Sequence, residues 1–458
     1  MTGSAQESNC PAPQDFQPPP LSFAAPKYID ESRAGGEPVS VVAHDGSISV
    51  SAHAGTTHIY KNPNAAPGAG DFAVGYFNQT LNWRSDDGGE TWDYVGTMGA
   101  PAGPHSLTST GFSDPDFAID QAGTIYNVEI DLVNDAVFAS NDDGQSYALA
   151  TPMAAPGDRP WLVALEPNEV FLYVNSLPKG LYKSTTGGLT WTTISTSPPF
   201  NGDPVPDPRN PDDGFIGPIG TDGIAITADD GGSFQTYDGA NLGSNTGFSG
   251  IGAVGVDRAG HAYLGAAGGF GNSGEVTYNY FDRDALRWGK PVRIPAPQGE
   301  ALWPWIVAGD DGRVAMTWYQ THPGKPDEYY AYVAYTLNGR GTTATCSDGS
   351  TVFIPPQFSV ANASGRVIHK GQICLQGTTC NLDLGEGGDR RLGDFFTINF
   401  THKGELFIAS GDTMLRNPVG GPKPVANPIF IKQNGGAMLL EEPDVVRPTR
   451  CILNLPTC

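Results

Sequence analysis

The chain of 458 residues carries 26 Lys and Arg against 49 Asp and Glu, a formal net charge of −23. That acidic balance, unrelieved by any basic run, argues against nucleic acid and anionic membrane surfaces as partners. Its 60 Gly and 39 Pro, about a fifth of the chain, argue against long helices, while 39% hydrophobic residues supply a core and exclude general disorder.

Residues 1–30 form a polar, Pro-rich N-terminal segment with no apolar signal core, as in a cytosolic start or a chain whose signal peptide has been removed. No run approaches the roughly 18 to 20 apolar residues that cross a bilayer, so no membrane insertion is expected. The cysteines favour export. Cys10, Cys346, Cys374, Cys380, Cys451 and Cys458 are even in number, lie outside any CxxC pair, and gather at the termini and in one late segment. Disulfides that staple loose ends are distributed in this way, which predicts a secreted or extracytoplasmic protein.

From 31 to 440 the sequence predicts one repeating β domain. Strand pairs are expected at 38–42 with 48–51, 116–119 with 124–128, 161–164 with 170–173, 252–256 with 262–264, 305–307 with 314–318 and 395–398 with 406–409, and a more ragged one begins near 215–219. Between them recurs an eight-residue turn with Ser or Thr first, Asp third, Gly fifth, Ser or Thr seventh and an aromatic residue last. Ser85 to Trp92, Ser140 to Tyr147 and Thr227 to Phe234 carry it, Ser184 to Trp191 places Thr186 in the Asp position, and Asp282 to Trp288 is a degenerate fifth copy. The Asp carboxylate can accept backbone N–H groups across such a turn, Gly supplies positive φ, and the aromatic ring returns to the sheet.

One unit per turn gives seven units of about 60 residues each. A four-stranded sheet of that length cannot bury both faces alone, so the units must pack around an axis. The sequence predicts an all-β, seven-bladed β-propeller, with six blades as the alternative. An ordered insert is expected at about 337–389 and a Cys-bearing tail at 441–458. The chain ends would meet at ring closure, where a bridge from Cys10 to Cys451 or Cys458 is expected, and Cys374 with Cys380 would close a short loop. A monomer is expected.

The eight-residue turn resembles the Asp box, or BNR repeat, of the sialidase-like propeller superfamily. The resemblance rests on the four copies between Ser85 and Phe234 and implies fold more than function, because that superfamily contains glycosidases, lyases, receptors and assembly factors. A sialidase would use an arginine triad, a Tyr nucleophile paired with Glu, and an Asp acid/base. This chain departs from that pattern. Its Arg-Ile-Pro copy, Arg293 to Pro295, lies deep in the sequence, and its last tyrosine is Tyr335.

In a propeller, residues at the start of each innermost strand converge on the central mouth. Here they include Asp114 and Asp116, Asp158 with Arg159 and Trp161, Asp213, Trp303 and Trp305, and Arg391 with Asp394; neighbouring loops would add Glu129, Tyr319 and His322. Carboxylates, guanidiniums and indoles at one mouth suit a carbohydrate, with sugars stacking on aromatic faces and carboxyl groups moving protons. Asp before Pro or Gly also holds turns, and the Trp residues also serve as packing between blades.

The expected function is a secreted glycoside hydrolase using two carboxylates among Asp114, Asp116, Asp158, Asp213 and Asp394, with Arg159 and Arg391 holding an acidic sugar. The alternatives are a uronate lyase with His322 or Tyr319 as base, and a propeller that binds a glycan or protein without turnover. No cofactor is expected. The scattered histidines argue against zinc, and a structural Ca²⁺ on the acidic mouth is the minor alternative.

Overall fold

In the computed structural model, residues 10–61, 70–72, 80–97, 113–131, 134–155, 157–175, 179–243, 252–268, 274–377, 380, 389–415 and 425–446 are described. Runs of β-branched and aromatic residues form antiparallel strands, and Gly- and Asp-rich intervals form the turns between them. Blade 1 is built from Gly36–Val42, Ile48–His53, Thr80–Ser85 and Asp93–Thr97, and blade 2 from Ser113–Ile119, Ile125–Asp131, Asn134–Ser140 and Ala148–Ala155. Blade 3 comprises Pro160–Ala164, Val170–Val174, Gly180–Ser184 and Thr192–Ser195, and blade 4 Val205–Pro206, Phe215–Ile219, Gly223–Thr227 and Gln235–Asp238. Gly252–Val256, Ala262–Gly268, Glu275–Asp282 and Arg287–Trp288 make blade 5, while Ala301–Ala308, Val314–His322, Lys325–Thr336 and Ser359–Asn362 make blade 6. Blade 7 takes Thr397–Phe400, Leu406–Asp412 and Asn427–Gly435 from the end of the chain and Ser22–Phe23 from its beginning. The protein is an all-β, seven-bladed propeller. Residues from the inner strands of all seven blades line a central channel of about 320 Å³.

The predicted turns join the third and fourth strands of blades 1 to 4. In blade 1 the Asp87 carboxylate accepts the N–H groups of Glu90 and Thr91, both at 2.9 Å, and the Ser85 hydroxyl accepts the Gly89 N–H at 2.8 Å. Blade 4 repeats this through Asp229, which accepts the Ser233 N–H at 2.8 Å, and Thr227, which accepts the Gly231 N–H at 3.0 Å. In blade 3 the Thr186 hydroxyl replaces the carboxylate and accepts the Thr190 N–H at 2.9 Å. The fifth-position glycine also permits close packing on the preceding blade: a Cβ on Gly89 would lie 2.0 Å from the Phe430 ring of blade 7.

Three local expectations change. Phe215–Ile219 is the second strand of blade 4 rather than the first, because Val205–Pro206 pairs inside it; the two Pro residues of Asp203-Pro204-Val205-Pro206 hide that strand in the sequence. The segment at 337–389 is not a separate insert, since its Ser359–Asn362 is the outer strand of blade 6. Cys10 pairs with Cys346, not with Cys451 or Cys458, which lie outside the described residues, whereas the expected Cys374–Cys380 bridge is present. The N-terminal segment runs along the outside of blades 6 and 7, where Leu21 N–H donates to Ser359 Oγ and Tyr335 donates to the Pro19 carbonyl. That course brings Cys10 to the blade 6 hairpin Thr342–Thr345 with Thr351–Ile354.

Gly89 and Gly324 both have positive φ, +90° and +77°, but no atom approaches a Cβ built on Gly324 within 4 Å. Gly89→Ala is therefore expected to cost about 2–4 kcal/mol and Gly324→Ala about 1 kcal/mol in urea unfolding. Equal costs would show that the approach to Phe430 does not govern this turn.

Candidate functional site

Near the start of four inner strands a residue immediately before a proline is held in the left-handed region: Glu37 at φ +53°, Asp114 at +49°, Arg159 at +55° and Trp303 at +53°. The strand register slips at the first, second and fourth of these positions. Non-glycine residues rarely adopt this conformation, which costs of order 1–3 kcal/mol and tends to collect at functional sites. Proline, lacking an N–H, is tolerated at a strand start or bulge.

Glu37 is wholly buried at the junction of blades 7, 1 and 2. Its Oε1 accepts the Asp394 N–H at 2.9 Å, and its Oε2 faces His53 Nε2 at 2.8 Å. His53 Nδ1 accepts the Gly55 N–H at 3.1 Å, so the neutral ring carries its proton on Nε2 and donates it to Glu37. Burial lowers the His53 pKa to about 4, which keeps the ring neutral.

A row of carboxyl groups extends from this pair. Asp114 stands between Glu37, whose Oε2 accepts the Asp114 backbone N–H at 3.4 Å, and Asp158, on which its charge acts. Burial, reinforced by the Glu37 charge, pushes the Asp114 pKa up to about 7. Burial also raises Glu37, helped by Asp394 and opposed by Arg390. Asp158 ends the row at the surface with its side chain 59% exposed; the surrounding protein and Asp114 raise its pKa, an effect reduced by solvent screening. Its neighbour Arg159 is 3.9 Å away and donates its backbone N–H to Asp114 at 3.3 Å.

Asp135, from the third strand of blade 2, is wholly buried near this row, and neither carboxyl oxygen hydrogen-bonds to a described residue. Burial followed by the Asp114 and Asp158 charges holds its pKa well above the ordinary range.

The remaining predicted residues divide among other places. Asp394 is gripped by both Arg390 Nη atoms at 2.5 and 3.0 Å, leaving little acceptor capacity for catalysis. Arg391 is tied to Asp389 through its Nε at 2.7 Å, so it does not present a free fork to an acidic sugar. Asp116 lies in the central channel and accepts the Leu162 N–H at 2.7 Å, stitching blade 2 to blade 3; burial raises its pKa to about 7.

The tryptophans are packing rather than sugar platforms. Trp161, Trp305 and Phe395 form a cluster of rings 5.3 to 5.9 Å apart that reaches across the ring from blades 3, 6 and 7, with Trp161 wholly buried. Trp303 packs edge-on against Tyr319 at 5.7 Å, and Tyr319 is sealed in the core against Phe396 at 3.9 Å with its hydroxyl at Ser410. Burial raises the Tyr319 pKa, opposite to the need of a base. His322 lies beside a different cavity of about 460 Å³ lined by Glu300 and Tyr329, stacks on Tyr330 at 4.3 Å and faces the Tyr332 hydroxyl at 2.7 Å. Glu129 is buried in blade 2 facing blade 1. Asp213 is exposed away from the row, where its carbonyl accepts the Asp230 N–H of the blade 4 turn at 2.9 Å.

Glu37, His53 and Asp135 were not predicted. The Glu37-Pro38 step repeats the X-Pro pattern of the other blade starts and is a usable signal. His53 and Asp135 reach the site only through strand pairing. Away from the row, His261, Asp282 and Asp284 on blade 5 place donor atoms within 4.8 Å of one another, a spacing capable of coordinating a metal ion. His261 Nδ1 already accepts the Arg283 N–H at 3.2 Å, and Asp284 is paired with Arg209 at 2.9 Å.

No family model and no curated protein matches the chain. Among solved structures, a GH74 enzyme from Niastella koreensis is 14% identical with a TM-score of 0.47 over 88% of this chain and 55% of its own. U3-55K is 10% identical with a TM-score of 0.47 over 90% and 99%, and YCF48 bound to D1 peptide is 11% identical with a TM-score of 0.46 over 90% and 95%. These likenesses accompany different functions and assign none to this chain; the seven sheets themselves establish the fold.

Glu37 and Asp114 retain protons in the folded state that the unfolded chain releases above its ordinary carboxyl range. Their contribution to stability therefore falls as pH rises toward about 7. His53 and His58, held at about 4 and 3, act oppositely below their ordinary value near 6.5. Urea titrations should show a steeper loss of stability from about pH 6.5 to 7.5 than from about pH 5 to 6.5, where the two groups offset. Asp114→Asn should flatten the upper limb by about 1 kcal/mol per pH unit; an unchanged slope would place the titrating groups elsewhere.

Proposed function

We propose that the mouth of the propeller is a glycan-hydrolysing site in which Asp158 is the general acid. The observation that carries this reading is the row of neighbouring carboxyl groups from buried Glu37, which accepts the Asp114 N–H, through Asp114, which accepts the Arg159 N–H, to exposed Asp158. Raised carboxyl pKa values keep protons available near neutral pH, as an acid needs. In the proposed step Asp158 protonates the glycosidic oxygen as the C–O bond breaks. Water supplies hydroxide to the anomeric carbon and returns its proton to the row. Arg159 stands beside Asp158 and suits an acidic sugar.

A lyase using Tyr319 and His322 has less support, because one is sealed in the core and the other lines a separate cavity. Two disulfides suit an extracytoplasmic setting. Among the described residues no helix is long and apolar enough to cross a membrane.

The test is incubation with acidic and neutral polysaccharides and aryl glycosides, followed by reducing ends and, in parallel, ultraviolet absorbance of unsaturated uronates. Reducing ends without that absorbance are expected, with Asp158→Asn lowering kcat by about 10²–10⁴ while the melting temperature holds. Unsaturated products would establish a lyase, and silence with measurable glycan binding would establish a binding propeller.

A further inference from the structure

The seam between blades 1 and 2 is apolar at one end, where Val41, Ala43 and Ile125 meet, and polar elsewhere. Ile48, Val50, Ala52, Leu81 and Trp83 of blade 1 pack with Phe407, Ala409 and Phe430 of blade 7. Strand alternation therefore turns Ser51, His53, Thr80 and Asn82 toward blade 2. In blade 2, Tyr126 and Val128 pack toward blade 3 while Ile125 packs with Val41 and Ala43 of blade 1, so Asn127 also faces this seam.

Ser51, Thr80, Asn82 and Asn127 are each 0% exposed. Ser51 Oγ, Thr80 Oγ1, both amide atoms of Asn82 and Asn127 Oδ1 make no hydrogen bond to a described residue. The Asn127 amide nitrogen is satisfied, donating to the Asp116 carbonyl at 3.1 Å. Leaving one buried polar atom without a partner is costly, and native proteins meet a run of such atoms with ordered water. The residues are also consecutive across the sheet: His53 pairs with Thr80, and Ser51 with Asn82. Their polar line begins at the Glu37–His53 pair.

We propose that the seam between blades 1 and 2 binds a file of ordered water that connects the Glu37–His53 pair with the interior face of blade 2 and carries protons to the buried carboxyl row. Hydroxyl and amide side chains both donate and accept, so they can hold water in either orientation and let it reorient as a proton passes. A carbonyl-lined or purely carboxylate pocket would favour a cation instead. This inference rests on the proposed acid role for its catalytic meaning, but the water file itself is tested without substrate.

The experiment is a high-resolution crystal structure of the full chain, paired with infrared measurement of carboxylic C=O exchange after transfer into D₂O. Discrete water density within hydrogen-bonding distance of Thr80, Ser51, Asn82 and Asn127 is expected. Thr80→Val and Asn82→Leu should remove neighbouring density and slow exchange of the slow carboxyl band at least about tenfold, without a comparable change in global amide exchange. Thr80→Val alone, nearly isosteric, provides the test if the larger substitution prevents folding. A closed seam without density would overturn the proposal, as would a metal identified there by anomalous scattering. Water present with unaltered carboxyl exchange in a folded Thr80→Val variant would overturn its proton-conducting role. Turnover with a dry seam would preserve the hydrolase reading while removing this one; a water-conducting seam without turnover would do the reverse.

Discussion

The Glu37 carboxyl group ties the ring together at the point where its ends meet. One oxygen receives a backbone N–H from the start of blade 7, and the other receives the His53 ring proton from blade 1 and the Asp114 backbone N–H from blade 2. A buried carboxyl needs these partners because transfer from water is costly unless its charge and hydrogen-bonding capacity are compensated. Gly393 makes the approach feasible: a Cβ at that position would lie 2.0 Å from Glu37 Cγ. Closure, strained strand starts and the carboxyl row are consequently one local arrangement.

That arrangement explains why acidic groups dominate the mouth without behaving alike. Asp394 is neutralised by a bidentate Arg390, Asp116 is engaged by the blade 3 backbone, and Asp114 sits between other carboxyl groups. Chemical potential follows from those partners rather than from residue type. Asp158 differs again because it joins the internal row to solvent. The aromatic residues divide the work differently: Trp161, Trp305 and Phe395 fill space across the ring.

Much of the scaffold was legible because the eight-residue turn joins sequence to geometry directly. Asp87 and Asp229 satisfy nearby backbone donors, so their local motif suffices to identify a hairpin. The six clear strand pairs follow from period-two patterning for the same reason. Blade 4 was obscured where proline occupies its short inner strand. Sequence proximity drew attention to Asp114 and Asp158, which the fold brings together, but it gave equal weight to Asp213 and Trp161. The former falls on a turn away from the row and the latter in the aromatic core. Asp135 was invisible as a site residue because nothing beside it in sequence reports the blade packing that isolates its carboxyl group.

The outer strand of blade 7 gives the propeller a particular order of completion. Ser22–Phe23 emerges early in synthesis, yet it pairs with Gln433 and Gly435 near the far end of the chain. Six blades can acquire their local turns while this early strand has no sheet to join. Final closure must then bring together segments separated by over four hundred residues, a non-local event with a large loop-closure cost and a slow folding tendency. During translation, the N-terminal segment must remain available rather than being captured by another exposed sheet edge; the architecture makes timing of synthesis part of the problem of forming a single ring.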